Sequence, residues 1–302
     1  MNPGDVLVSN FNNRNNLQGT GTTIIKLTPS SGAAPDTQAS VFFQGTPPLG
    51  LTTALGVLTR GFVLVGNVTT IDGTSATVKG GPLLFIDQNG KLIKTLDSSP
   101  ANKLNGPWDL ALADGFDHAK VFVSNVLDGT VTRIDLSLPD SETVNVTGAT
   151  QIASGYIHRK DPAALVLGPT GLFYDAVADV LYVASTADNA IFKVPYAGTI
   201  GPSSGTGKLV FTDTHLRGPL ALALAPNGHL LTSNGDAINA DSTQPSEIVE
   251  FTKTGHFIGE YNVHQNQGGA FGVATFTEGT VNLLAVVNDN ASDVAVRASG
   301  LP

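Results

Sequence analysis

Short apolar runs separated by Gly, Asn, Asp and Thr cover the chain from end to end, and no apolar run reaches ten residues. Runs of this length bounded by turn formers predict strands, not long helices. One run recurs: an apolar strand closed by a small residue and Asn. It stands at Val6 to Asn10, Val63 to Asn67, Val121 to Asn125, Leu230 to Asn234 and Leu284 to Asn288, with Leu181 to Thr186 as the odd copy. The spacings between copies are 57, 58, 61, 48 and 54 residues, so six copies span the whole chain.

Each copy has similar neighbours. Gly-Pro or Gly-Gly leads into an apolar strand before it, as in Gly106-Pro107-Trp108-Asp109-Leu110, Gly168-Pro169, Gly218-Pro219-Leu220-Ala221-Leu222 and Gly268-Gly269. A polar loop follows the Asn, then a third strand, a tight turn such as Asn89-Gly90 or Thr254-Gly255, and a fourth strand. Asn-Gly between apolar runs is a hairpin signal, because both residues tolerate positive φ. Four short antiparallel strands per repeat predict β-propeller blades.

Composition supports this reading. The 302 residues are 41% hydrophobic and 14% charged, with 34 Gly, 20 Asp and 21 Asn but only 5 Glu. Turn formers and strand formers outweigh helix formers. The absence of Cys excludes disulfides, a thiol nucleophile and thiolate metal sites. A net charge of −9 with no basic cluster argues against nucleic acid as a partner, and the short apolar runs argue against membrane insertion. The first residues show no signal-peptide pattern. The Cys-free, Asn/Thr-rich composition nevertheless points to an extracellular or periplasmic protein of bacterial type.

The Gly-Pro-x-x-Leu-Ala-Leu lead-in, the Pro226-Asn227-Gly228 turn and the small-Asn strand ending resemble the NHL-repeat and gluconolactonase-like six-bladed propellers. The resemblance implies an all-β, six-bladed propeller of four-stranded antiparallel blades. Blades are expected near 1–47, 48–104, 105–160, 161–216, 217–266 and 267–302 as one domain. The chain starts on a second strand and stops after a third, so the first blade lacks its inner strand and the last its outer strand. Such edges invite self-association or a pairing partner.

The recurring asparagines Asn10, Asn67, Asn125, Asn234 and Asn288 are candidate ligand-binding residues, together with Trp108, the only Trp. Their amide oxygens suit a hard cation such as Ca²⁺ or a polar ligand. The alternative is an Asn that bonds its own loop backbone at a strand end. The resemblance further implies a metal set of Asp109, Asn125 and Asn234. The family's Glu on the first inner strand has no counterpart here. His158 and His215 lie between blades, where they could reach a channel mouth and act as a base, whereas His229 and His256 sit in turns that read as exposed. Three loops are long: Phe11 to Thr23, Val68 to Gly81 and Gly235 to Ser246. Two function classes follow. One is a binding scaffold presenting polar loops to a small molecule, glycan or protein. The other is a divalent-metal-dependent lactonase or esterase.

Overall fold

A computed structural model describes residues 1–2, 4–28, 38–244, 247–278 and 280–298. Their regular structure is entirely β, and none of them lies in a helix long and apolar enough to cross a membrane. The chain forms two compact units. One is Met1–Asp128 with Thr132–Thr150 and Lys160–Val166; the other is Gly129–Val131 with Gln151–Arg159 and Leu167–Pro302.

Three sheets fall mainly in the first unit. The first pairs β1 (Val6–Ser9), β2 (Thr23–Thr28) and β3 (Gln38–Gln44) in that order. The second runs β4 (Leu51–Val57), β5 (Val63–Thr69), β7 (Leu83–Ile86) and β8 (Leu92–Leu96), with the short β6 (Lys79–Gly80) also bonded to β5. The long loop expected after Asn67 therefore contains a strand of its own. The third sheet holds β9 (Pro107–Asp114), β10 (His118–Asn125), β11 (Thr130–Ser137) and β12 (Asn145–Ser154). A two-stranded ribbon of β13 (Arg159–Asp161) and β14 (Leu165–Leu167) follows.

The second unit holds three more sheets. They are β15 (Pro169–Asp175), β16 (Val180–Ser185), β17 (Ala190–Pro195) and β18 (Lys208–Phe211); β19 (Pro219–Leu224), β20 (Leu230–Asn234), β21 (Glu247–Phe251) and β22 (Phe257–Asn262); and β23 (Ala270–Glu278), β24 (Val281–Asn288) and β25 (Asp293–Ala298). Apart from β6, which branches off between β5 and β7, the strands of each sheet follow one another in chain order. Among the described residues the first and last sheets have three strands, matching the shortfall expected from the repeat.

Within each unit the central strands are apolar on both faces because neighbouring sheets pack against them. Val63, Val65, Leu84 and Ile86 meet Ile24 and Phe43 of the first sheet, while Leu64, Leu83 and Phe85 meet Val121, Val123 and Ile134 of the third. In the second unit Val249 and Phe251 pack with Tyr182, Ile191 and Phe211, and Ile248 and Leu231 pack with Ala270 and Val286. Sheet alternation thus sends odd and even positions of one strand into two different cores.

Hydroxyls bridge neighbouring sheets. Ser9 Oγ donates to Thr52 O at 2.7 Å, and Thr52 Oγ1 donates to Pro107 O at 2.8 Å. In the second unit Thr186 Oγ1 donates to Pro219 O at 2.7 Å, and Ser233 Oγ donates to Phe271 O at 2.5 Å. Ser9 and Ser233 are small residues of the repeated motif and Thr186 is its odd Thr, so the motif's composition is set by a close inter-sheet seam. Gly66 shows the limit: a Cβ there would stand 2.7 Å from Pro107 O and 2.6 Å from Ala54 Cβ.

Candidate functional site

Asn125, Asn234 and Asn288 end their strands as expected, Asn10 follows β1 and Asn67 lies two residues inside the end of β5. The amides of Asn125 and Asn234 reach across to the segment that leads into the inner strand of the same sheet. Asn125 Oδ1 accepts the Asn105 N–H at 3.0 Å, while Nδ2 donates to Lys103 O at 3.2 Å and to Thr132 Oγ1 at 3.1 Å. Asn234 repeats this. Its Oδ1 accepts the Arg217 N–H at 2.9 Å, and Nδ2 donates to His215 O at 2.8 Å and Glu247 Oε2 at 3.1 Å. Asn10 Nδ2 donates to Thr23 Oγ1 at 2.6 Å, Asn67 Nδ2 to Pro82 O at 2.8 Å, and Asn288 Oδ1 accepts the Ala291 N–H at 3.3 Å. Asn67 Oδ1 is buried without a hydrogen-bond partner.

Trp108 is buried, edge-on to Phe11 with ring centroids 5.4 Å apart, and its indole N–H is unpartnered. Asp109 Oδ1 accepts the Leu110 N–H at 2.8 Å, and its own N–H donates to Ser124 Oγ at 3.0 Å. These bonds bear on the divalent ion implied by the resemblance. The amide oxygens of Asn125 and Asn234 and a carboxylate oxygen of Asp109 already accept backbone N–H groups. Among the described residues no three His, Asp or Glu side chains converge as a metal group would require. As arranged, this donor set does not fit a divalent ion, and no step is derived through one.

His158 is exposed, with Nδ1 3.1 Å from Tyr156 O. His215 lies in the segment between β18 and β19, but it faces the outer strand β22, not the inner strand β19. Its ring stacks on Phe257 with centroids 3.9 Å apart, and its Nδ1 bonds Asp213 Oδ1. Burial would raise the Asp213 carboxyl; the hydrogen bonds from the His215 backbone and ring outweigh it and hold the carboxyl below the usual range. A carboxylate on Nδ1 fixes the imidazole's orientation and leaves Nε2 as the working nitrogen.

The densest polar chemistry lies around these residues, and sequence reasoning missed it. Arg217, itself buried, donates from Nη1 to Glu260 Oε1 at 2.6 Å and from Nη2 to Asp241 Oδ2 and Gln244 Oε1, both at 3.4 Å. Glu247, at 2% exposure, lies with Oε2 3.6 Å from Arg217 Nη1. Its Oε1 and the Arg217 Nε are buried without partners. Burial pushes the Glu247 carboxyl up to about 7, against the Asn234 bond and the Arg217 charge, and the Asp236 and Glu260 carboxylates add to the rise.

At the other end of β21, on the opposite face, Glu250 is completely buried. It accepts Asn227 Nδ2 at 2.9 Å, bonds His229 Nδ1 at 2.6 Å and accepts the Tyr261 hydroxyl at 2.7 Å. Burial would raise its pKa; these bonds prevail and hold it below the usual range. His229, which reads as an exposed turn residue, is thus half-buried and tied to a core carboxylate. The available signal was composition: two of only five Glu stand in Glu247-Ile-Val-Glu250-Phe, an otherwise apolar strand.

No family model and no curated protein matches the chain. Solved structures do. It is similar to regucalcin from Agrobacterium tumefaciens, described as a calcium-binding protein, at 14% identity and a TM-score of 0.57 over 98% of this chain and 86% of that one. It is similar to a luciferin-regenerating enzyme at 12% identity and a TM-score of 0.57, over 98% and 96% of the two chains. A putative gluconolactonase matches at 14% identity and a TM-score of 0.53, over 92% and 85%. The fold is a six-bladed β-propeller. Likeness at this identity carries the fold alone, because propellers host many unrelated activities.

Proposed function

We propose that the protein is an extracellular or periplasmic binding propeller that presents a preformed polar surface to a glycan or protein ligand. The observation that carries this reading is the interlock of two long loops in the first unit. The Thr70 N–H donates to Gly19 O at 2.8 Å, and Thr70 Oγ1 donates to Gln18 O at 2.5 Å. The loops form one ridge that exposes Arg14, Asn15, Asn16 and Asp72, with Leu17 at 38% and Ile71 at 77% exposure. A ridge ordered before binding loses little entropy on binding. Exposed apolar side chains among amides suit the faces and hydroxyls of a sugar or a mixed protein surface. The test is binding to a glycan array and to candidate surface proteins, compared with Ile71→Asp. Binding lost in the variant supports the reading, and binding unchanged in the variant overturns it.

A second reading, hydrolase- or lyase-type chemistry, rests on the Asp213–His215 pair. His215 Nε2 would be the general base, oriented by Asp213 and by stacking on Phe257. A panel of lactones and esters tests it. Turnover abolished in His215→Ala and retained in Ile71→Asp would favour this reading over the first.

A further inference from the structure

The third and fifth sheets share one latch, built differently. In the third, Asn125 meets Thr132 Oγ1, which itself donates to Lys103 O at 2.5 Å. In the fifth, Asn234 meets Glu247 in the matching place, and Arg217 stands where Asn105 stands. A neutral hydroxyl has been replaced by a buried carboxylate and a buried guanidinium. That substitution makes the latch titratable.

The same guanidinium holds the loop after β20. Its Nη2 bonds to Asp241 and Gln244 are long at 3.4 Å, whereas the Nη1 bond to Glu260 is short at 2.6 Å. Neighbouring loop contacts do not depend on Arg217. Asn239 Nδ2 donates to Thr214 O at 3.1 Å and to Leu216 O at 3.2 Å, and Asp236 Oδ2 accepts the Gly268 N–H at 2.9 Å. The charged groups facing Glu247 are Arg217 from the lead-in segment, Asp236 from the loop and Glu260 from β22, with Asp241 held by the same guanidinium. His215 presents its carbonyl to the Asn234 amide.

We propose that Glu247 and Arg217 form a proton-operated clamp in which ionisation of Glu247 draws the guanidinium off Asp241 and Gln244 and loosens residues 240–244, while protonation leaves that segment docked. Ionised Glu247 has an Oε1 with no donor, and the nearest cation is Arg217. A buried carboxylate with one oxygen unsatisfied and its counter-ion at 3.6 Å is costly enough to draw that guanidinium closer. The two Nη2 bonds are the ones to yield, because Nη1, which faces Glu247, also holds Glu260 and the His215 carbonyl. The carboxyl's rise to about 7 places the change near neutrality.

The test is amide hydrogen exchange read by NMR at Thr243 and Gln244, whose N–H groups bond Asp241. With intrinsic rates corrected, wild-type protection should fall about tenfold or more between pH 6 and 8, as expected when a local opening follows one titration. Glu247→Gln should keep the segment protected at both pH values. Asp241→Asn, at a half-buried position, should leave it poorly protected at both. Protection that is constant with pH in the wild type, or lost equally in Glu247→Gln, overturns the clamp. Should Glu247→Gln fail to fold, the wild-type profile and Asp241→Asn still decide.

Discussion

Glu247 and Glu250 stand three positions apart on β21 and project from opposite faces of the fifth sheet. One carboxylate has an oxygen with no donor; the other accepts three hydrogen bonds. Their pKa values move in opposite directions for this reason, although both side chains are buried. Burial penalises the charge at each, and only at Glu250 do the donors outweigh the penalty.

The first consequence is a pH dependence of stability with a definite sign. Glu247 titrates higher in the folded protein than the usual 4.5. Its contribution to stability is therefore full below about pH 4.5 and is lost as pH rises through about 7. The upper bound is about 3 kcal/mol. Urea unfolding from about pH 5 to 8 should show the wild type losing stability relative to Glu247→Gln. Equal losses in the two proteins would show that Glu247 is not the group responsible.

Glu250 gives the opposite sign. Its stabilisation is present above the usual 4.5 and is lost as pH falls through its depressed folded value. Glu250→Ala would strand the Tyr261 hydroxyl, the Asn227 amide and a His229 ring nitrogen, a loss of about 3 kcal/mol at pH 7. Thermal melts at neutral pH check it, and a shift under about 2 °C would mean the cluster rearranges.

The repeat, the strand order and the two short sheets were legible in the sequence because each sheet solves the same packing problem with the same residues. The small-Asn ending identified where second strands stop, and Asn125 and Asn234 stand there. Their partners were not legible. The Asn105 N–H and the Arg217 N–H come into reach only when the lead-in segment crosses the sheet, about twenty positions back along the chain. His229 was misjudged because a turn position says nothing of a carboxylate two residues along the neighbouring strand. The Arg217 cluster draws on four separate segments, and no local pattern reports such a convergence.

The latch role of asparagine separates two outcomes. Asn125→Ala removes one acceptor for the Asn105 N–H and two donor bonds in a buried setting, so it should cost about 2 to 3 kcal/mol. Calcium at millimolar concentration should leave the melting temperature of the wild type unchanged, since the amide oxygens of Asn125 and Asn234 are already engaged. A calcium-dependent rise in the wild type that is absent in Asn125→Ala would restore the metal reading.

Gly66 tests the inter-sheet seam directly. It sits within β5, where Ser124 and Ser233 stand in the equivalent places of β10 and β20, so a side chain at this motif position is not forbidden by backbone conformation. What excludes one at Gly66 is the approach of Pro107 O and Ala54 Cβ. Both atoms belong to packed strands and cannot swing aside as a flexible side chain would. Gly66→Ala should therefore destabilise by about 1 to 3 kcal/mol through overpacking. Gly66→Ala combined with Ala54→Gly relieves one of the two clashes and should recover part of the loss. Full stability in Gly66→Ala alone would mean that the second and third sheets can separate without cost, and that the hydroxyl bridge from Thr52 to Pro107 does not hold them.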